Sequence, residues 1–477
     1  MKIRQEHRTS NIERRTPNAG LRPGLFDVRC SMLGVRHFPA QRGSVLIIVL
    51  WVAIGLVSIA LYFANTMTYE LRASDNRVSG LVADQAIEGA ARYVAYALQN
   101  FATNGAVPDN TQFKCAAVPV GDAKFWLIGR DPSGTPATEP YYGLVDEGGK
   151  LNLNNANTNV LSYLPGMTMD FADAIIDWRG TNGVVSLDYA TLGYLPKNAS
   201  FETVDELRLV YGATVDLLAG EDVNRNGVLD TNEKDLNSNG ELDPGLFEYV
   251  TVYTREPNFH ADGTTLTNVN TLTKTQTQAL FQSLGTSRVN QLWTQIDVRQ
   301  RQNQKFNGPL DFAVFCNGQG VSPDQFATIA NNIETTTNTY IRNRVNVNTA
   351  NADVLVAMLM GANVDEQTAI STAQTLITYR QQNPNNLGSI AWVIDALGNQ
   401  SPTLKTMATH DWWTTHSYQF TADIAAVGPF GRGYRRVKFI FDMSDGSPKI
   451  LYRQDLSRLG WALGEKARQT LVATDTQ

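Results

Sequence analysis

Three cysteines and five histidines among 477 residues leave little material for thiolate or imidazole chemistry. Cys30, His7 and His37 precede residue 44, so the body keeps Cys115, Cys316, His260, His410 and His416. None of these histidines stands at metal-ligand or nucleophile spacing. The chain has no Gly-x-Ser-x-Gly elbow, no His-Glu-x-x-His pair and no phosphate-binding glycine loop. It therefore reads as a non-enzyme. Cys115 and Cys316 either pair outside a reducing compartment or remain buried thiols, since their sequence separation says nothing of proximity. The stretch "HDWW" (410–413) is an aromatic cluster suited to a core or an interface.

Positive charge is scarce after the first 43 residues. Those carry nine Lys or Arg against three acids, which leaves 31 basic and 43 acidic residues beyond Gly43. An acidic body lacks the cations that supply most phosphate affinity, so no nucleic-acid partner is expected.

Against this background one uncharged run stands out. Ser44–Ala64 holds 21 residues without a charge, rich in Leu, Ile, Val and Ala. As a helix it would span about 31 Å, the hydrocarbon thickness of a bilayer. Arginines precede it and no basic residue follows until Arg72, so the positive-inside bias puts the N-terminus in the cytoplasm and the body outside. A cleavable secretory signal would be shorter and would end in a small-residue motif. Proline is absent from Met67 to Leu98, where Leu71, Val78, Leu81, Val82, Ile87, Val94 and Leu98 recur at helical intervals. One helix over 44–100 is predicted, about 85 Å long.

A basic leader ending in Gly, an immediate apolar helix and an amphipathic continuation resemble type IV pilins and the pseudopilins of type II secretion. The resemblance implies that a prepilin peptidase cuts after Gly43 and that Ser44 becomes the methylated N-terminus, where most members have Phe. Met32 as the start would give the twelve-residue leader "MLGVRHFPAQRG". Most members also carry Glu at the fifth mature position, here Ile48. A carboxylate in an apolar helix is costly unless paired, and in a pilus it meets the free amine of a neighbour. A subunit with nothing above it needs no such acid, and its absence resembles the K-type minor pseudopilin that caps the tip. The apolar segment taken alone also suits a plain signal anchor.

The body repeats itself weakly. "KLNLNNANTNVLSYLPGMTMDFADAIIDWR" (150–179) matches "RVNVNTANADVLVAMLMGANVDEQTAISTAQTLITYR" (344–380), with a fainter copy, "LTNVNTLTKTQTQALFQSLG", at 266–285. Each has Asn-apolar-Asn, a polar turn and then helical spacing, and the Asn and Thr side chains are expected to cap helix starts. The pattern resembles helix-hairpin-helix and SAM-like units of K-type pseudopilins. Around the hairpin "LPGM" (164–167) basic residues do not cluster, so the unit reads as a packing module rather than a DNA reader.

"DVNRNGVLDTNE" (222–233) fits a twelve-residue calcium loop. Asp222, Asn224 and Asn226 take positions 1, 3 and 5, Gly227 makes the turn, Val228 offers its carbonyl, Asp230 takes position 9 and Glu233 closes the loop. A second half-loop, "DLNSNGELDPGL" (235–246), offers Asp235, Asn237, Asn239, Glu241 and Asp243. Its twelfth position is Leu246, and Glu248 is the candidate substitute for the missing acid. Calcium is expected as a structural ion.

Strand-like segments at 123–131, 141–149, 418–428, 434–443 and 448–456 flank the helical stretch. The expected fold is α+β: a long transmembrane and amphipathic helix on a small antiparallel sheet, the pseudopilin fold, with a large inserted helical domain. The divisions are leader 1–43, helix 44–100, first sheet segment 101–149, insertion 150–415 with calcium loop 222–246, and returning strands 416–477. The resemblance implies inner-membrane anchorage with a periplasmic body. It implies as partners other minor pseudopilins, prepilin peptidase, and secretin or secreted substrates. A minor pilin of a type IV pilus and a membrane-anchored DNA receptor are the alternatives.

Overall fold

The computed structural model describes residues 44–132, 137–180 and 189–475, so the expected leader and Gly43 lie outside the described residues. The chain divides into two units, Met1–Tyr69 and Glu70–Gln477. Helix α1 covers Ser44–Phe101. Among the described residues it is the one helix long and apolar enough to cross a membrane by length and composition. In the first unit its large side chains, from Val45 to Tyr69, are exposed.

In the second unit the buried stripe of α1 is made largely of alanine. Ala83, Ala86, Ile87, Ala90, Ala91, Val94 and Leu98 face a sheet, at the intervals of three and four that one helical face requires. The larger Leu71, Val78 and Leu81, expected on that face, are exposed. Small side chains let the helix axis approach the strands closely, so the inward face carries methyl groups where size was expected.

The sheet starts with β1 (Val118–Val120), β2 (Ala123–Ile128) and β3 (Val145–Asp146). The chain then leaves it for three successive units of one plan. The first runs from β4 (Leu151–Asn152) through α2 (Thr158–Ser162), α3 (Met169–Arg179) and α4 (Val215–Ala219) to β5 (Val250–Thr251). After β6 (Glu256–Pro257), the second runs from β7 (Thr267–Asn268) through α5 (Lys274–Leu280), α6 (Thr286–Arg301), α7 (Pro309–Gly318) and α8 (Pro323–Ala330) to β8 (Ile333–Glu334). Strand β9 (Tyr340–Ile341) pairs back onto β6. The third runs from β10 (Val345–Asn346) through α9 (Ala352–Gly361), α10 (Glu366–Gln382), α11 (Trp392–Leu397) and α12 (Pro402–Ala408) to β11 (Trp413–Thr414). In every unit the opening and closing strands pair in parallel.

The expected capping holds at Asn157, Thr273 and Asn351, one in each repeat, while the Asn-apolar-Asn pairs before them do a different job. In all three, the first Asn accepts a hydrogen bond from the amide of the second, making a tight turn. The second Asn clamps distant backbone: Asn154 on Phe201, Asn270 on Phe306 and Thr335, Asn348 on Leu387 and Thr415. The caps are Asn157 for α2, Thr273 for α5 and Asn351 for α9. Arg179 and Arg380, closing α3 and α10, each donate to two carbonyls of their own opening turn.

The chain returns as β12 (Gln419–Val427), β13 (Arg435–Asp442) and β14 (Lys449–Asp455), followed by α13 (Gly464–Asp475). The sheet is antiparallel in the order β1-β2-β12-β13-β14, with β3 beside β12 so that Asp146 stands opposite Phe420. Phe420, Ala422, Ile424 and Ala426 of β12 face α1, while Ala425 and Val427 pack with Trp126, Leu463 and Leu471 on the reverse. Cys115 and Cys316 are both buried and free.

Two acids, the half-buried Asp146 and the buried Glu147, sit where the sheet hands over to the first unit. Asp146 accepts hydrogen bonds from Ser417 (2.6 Å), Gly148 N–H (2.7 Å), Thr349 and Asn346. Glu147 accepts from Thr251 (2.5 Å) and Thr421 (2.7 Å) and pairs with Lys150 (3.0 Å). A side chain on Gly148 would strike Ser417, so this close approach requires glycine. Burial pushes the Asp146 carboxyl up to about 6, from an ordinary value of 3.8. The folded state thus holds this proton more tightly than the unfolded chain. The stabilisation is complete below the ordinary value and is lost as pH rises through about 6. Denaturant unfolding across pH 4–7 should show wild type losing about 2 kcal/mol relative to Asp146→Asn; a pH-independent difference would refute this assignment.

Candidate metal centre

Helix α4 ends at Gly220, whose positive φ of 62° turns the chain into the acidic loops. A Cβ on Gly220 would meet the backbone of Asp243–Gly245, so the two ends of the loop region close against each other here. Loop 222–233 follows. Asp222 accepts from Asn226 N–H (2.9 Å) and Gly227 N–H (2.8 Å). Glu233 reaches back to accept from Asn224 N–H (3.0 Å) and Asp230 N–H (3.0 Å). The Asn224 and Asn226 side chains converge on Asp230 Oδ2 at 2.5 and 2.9 Å, and Val228 N–H donates to Asn226 Oδ1. Asp222, Asn224, Asn226 and Val228 are buried. Asp222, Asn224, Asn226, Asp230 and Glu233 are thus tied together within one loop.

Loop 235–246 repeats this backbone. The fourth residue of each loop, Arg225 and Ser238, has φ near 60°, and the sixth, Gly227 and Gly240, has φ of 83° and 77°. Asp235 accepts from Ser238 N–H and Gly240 N–H, the second matching the Gly227 bond to Asp222 in the first loop. Asn237 and Asn239 side chains donate to Asp243, and Asn239 accepts from Glu241 N–H, whose side chain is exposed.

Glu221 stands where a closing acid for the second loop would. It accepts from Leu236 N–H (2.5 Å) and Asp243 N–H (3.0 Å), reproducing what Glu233 does in the first loop. Sequence reasoning sought this acid downstream, whereas it lies fourteen residues upstream of Asp235 and immediately before Asp222. The available signal was a buried-type loop with an acid directly preceding its first ligand. Glu248, the expected substitute, is instead committed to Arg130 at 2.9 Å.

The sheet grips the first loop through two arginines. Arg436 on β13 forms a two-point pair with Asp423 on β12 (2.6 and 2.9 Å) and donates to the carbonyls of Asn224 and Arg225. Arg130, just beyond β2, lies 3.8 Å from Asp222. Such charges tolerate burial only when paired. Burial raises the Asp222 and Glu233 carboxyls above their ordinary range. A dication acts in the opposite sense, favouring ionised ligands.

Among the described residues no three His, Cys, Asp or Glu side chains gather into a metal cluster. The donor set here mixes carboxylate, amide and carbonyl oxygens, and hard oxygens on a flexible loop are what calcium takes. The residues fit that ion in the first loop and, with Glu221 included, in the second. Of the other sequence-predicted positions, Ser44 opens α1 and Ile48 is 61% exposed on it.

No family model matches this chain, and no curated protein matches it.

Calorimetric titration of the detergent-solubilised full chain should give two calcium ions per molecule, reduced to one by Glu221→Gln and by Glu233→Gln separately. At calcium about 100-fold above its dissociation constant, chelation should lower the melting temperature by about 5 °C. An unchanged melt, or Glu221→Gln retaining both ions, would remove the assignment.

Proposed function

We propose that this chain is a K-type minor pseudopilin that caps the tip of a type II secretion pseudopilus. Its role is structural: it anchors in the inner membrane by α1, joins other minor pseudopilins through that helix, and holds its body in the periplasm. The observation that carries this reading is the start of α1. An uncharged run begins directly behind Arg42 and Gly43, and Ile48 stands where a pairing acid is expected. A subunit lacking that acid accepts no amine from above, so it ends a fibre rather than extending it. Two features of the body support the same reading. The alanine stripe of α1 packs on an antiparallel sheet, and three helical units depart from that sheet and return to it. Calcium in the paired loops would fasten the first unit to the sheet through Arg436 and Arg130, in a compartment rich in that ion.

Co-expression with a prepilin peptidase is the direct check. The mature chain should begin at Ser44 with a methylated amine, and Gly43→Val should retain the leader. A wild-type chain that stays uncut and co-purifies with no pilin-like protein would overturn the proposal.

A further inference from the structure

A cavity of about 390 Å³ opens between the second and third helical units and the sheet end of the body. This is within the range of small-ligand pockets, about 300–1,000 Å³. Phe259, Leu266, Phe326 and Trp413 supply apolar and aromatic wall, and Glu256, Arg344 and Tyr418 converge on the same space.

The charges there do not balance. Arg344 is buried and surrounded by three carboxylates. Its Nη1 and Nη2 donate to Glu334 at 2.7 Å each, and its Nε donates to Asp411 at 2.7 Å. Glu256 is left with a 3.5 Å approach to Arg344 and one hydrogen bond, from Thr414 Oγ1 at 3.2 Å to Oε2. Among the described residues Oε1 of Glu256 accepts no hydrogen bond and the Tyr418 hydroxyl makes none. Burial, against the opposing pull of Arg344 and with the Glu334 and Asp411 charges nearby, pushes the Glu256 carboxyl up to about 7. His416 cannot supply that charge, because burial holds it down at about 4.

We propose that this cavity binds a primary ammonium group carried on an apolar body. The ammonium would sit between Glu256 Oε1 and the Tyr418 hydroxyl, with the body against Phe259 and Trp413. An ammonium has three donors and no acceptor, so it satisfies both free oxygens and supplies the missing charge. Nearby aromatic faces add a cation–π attraction. The inference is independent of whether the chain caps a fibre.

The test uses the detergent-solubilised full chain and three probes of one shape: phenethylamine, 2-phenylethanol and phenylacetate. Phenethylamine should bind with a dissociation constant of about 1 mM. The alcohol should bind at least tenfold more weakly and phenylacetate not measurably. Glu256→Gln should abolish the preference for the amine over the alcohol. A blocked Ala-Ala-Lys-Ala-Ala peptide distinguishes the sources, since its binding assigns a lysine of a protein partner and its failure beside a bound phenethylamine assigns a small free amine. Equal binding of the three probes, no binding of the amine, or a Glu256→Gln variant that still prefers it would overturn the proposal. The wild-type comparison decides the matter even where Glu256→Gln fails to fold.

Discussion

The architecture depends on two adjacent carboxylates set where the sheet ends and the first unit begins. Asp146 collects donors from Asn346, Thr349 and Ser417, all at the edges of the third unit. Glu147 collects Thr251 from the closing strand of the first unit and Thr421 from the central strand of the sheet. Buried acids are costly unless every oxygen is answered, so their partners must be held in register together. Sheet, first unit and third unit therefore settle their mutual positions at one dipeptide. Gly148 and Gly149 follow because the chain has no room there for side chains.

Each unit solves the same closure problem with the same parts. A two-residue strand cannot persist alone, and here it is held by a parallel partner from the far end of its own unit and by an Asn amide gripping backbone between 36 and 67 residues away. The sequence showed the Asn-apolar-Asn signature three times, because the turn is local and leaves a local imprint. It hid the clamp, because the clamped group is backbone and backbone has no sequence signature. Capping was the nearest local role available to those residues, and Asn157, Thr273 and Asn351 took that role instead.

The same division between local and distant explains the rest of what could be read in advance. Long strands with alternating side chains, such as 419–427 and 435–442, were legible, as was the long apolar helix. The inward face of α1 was legible at Ile87, Val94 and Leu98 but not at its alanines, because the rule that large apolar residues mark the core fails where alanines allow close approach. In the acidic loops the local turns repeat from 222–233 to 235–246, because each is made by neighbouring Asp, Asn and Gly residues. Glu221 escaped because it closes a loop that begins after another loop has ended. The cavity around Glu256 brings together residues from every part of the body, and no spacing announces it.

Asp146 and Phe420 face each other across the sheet, although everything from β4 to β11 lies between them in the chain. The whole excursion thus leaves and re-enters through one doorway. A short turn joining β3 to β12 would keep the strand order but strip Asp146 and Glu147 of Asn346, Thr349 and Thr251, so sheet and excursion are fastened to each other at that doorway.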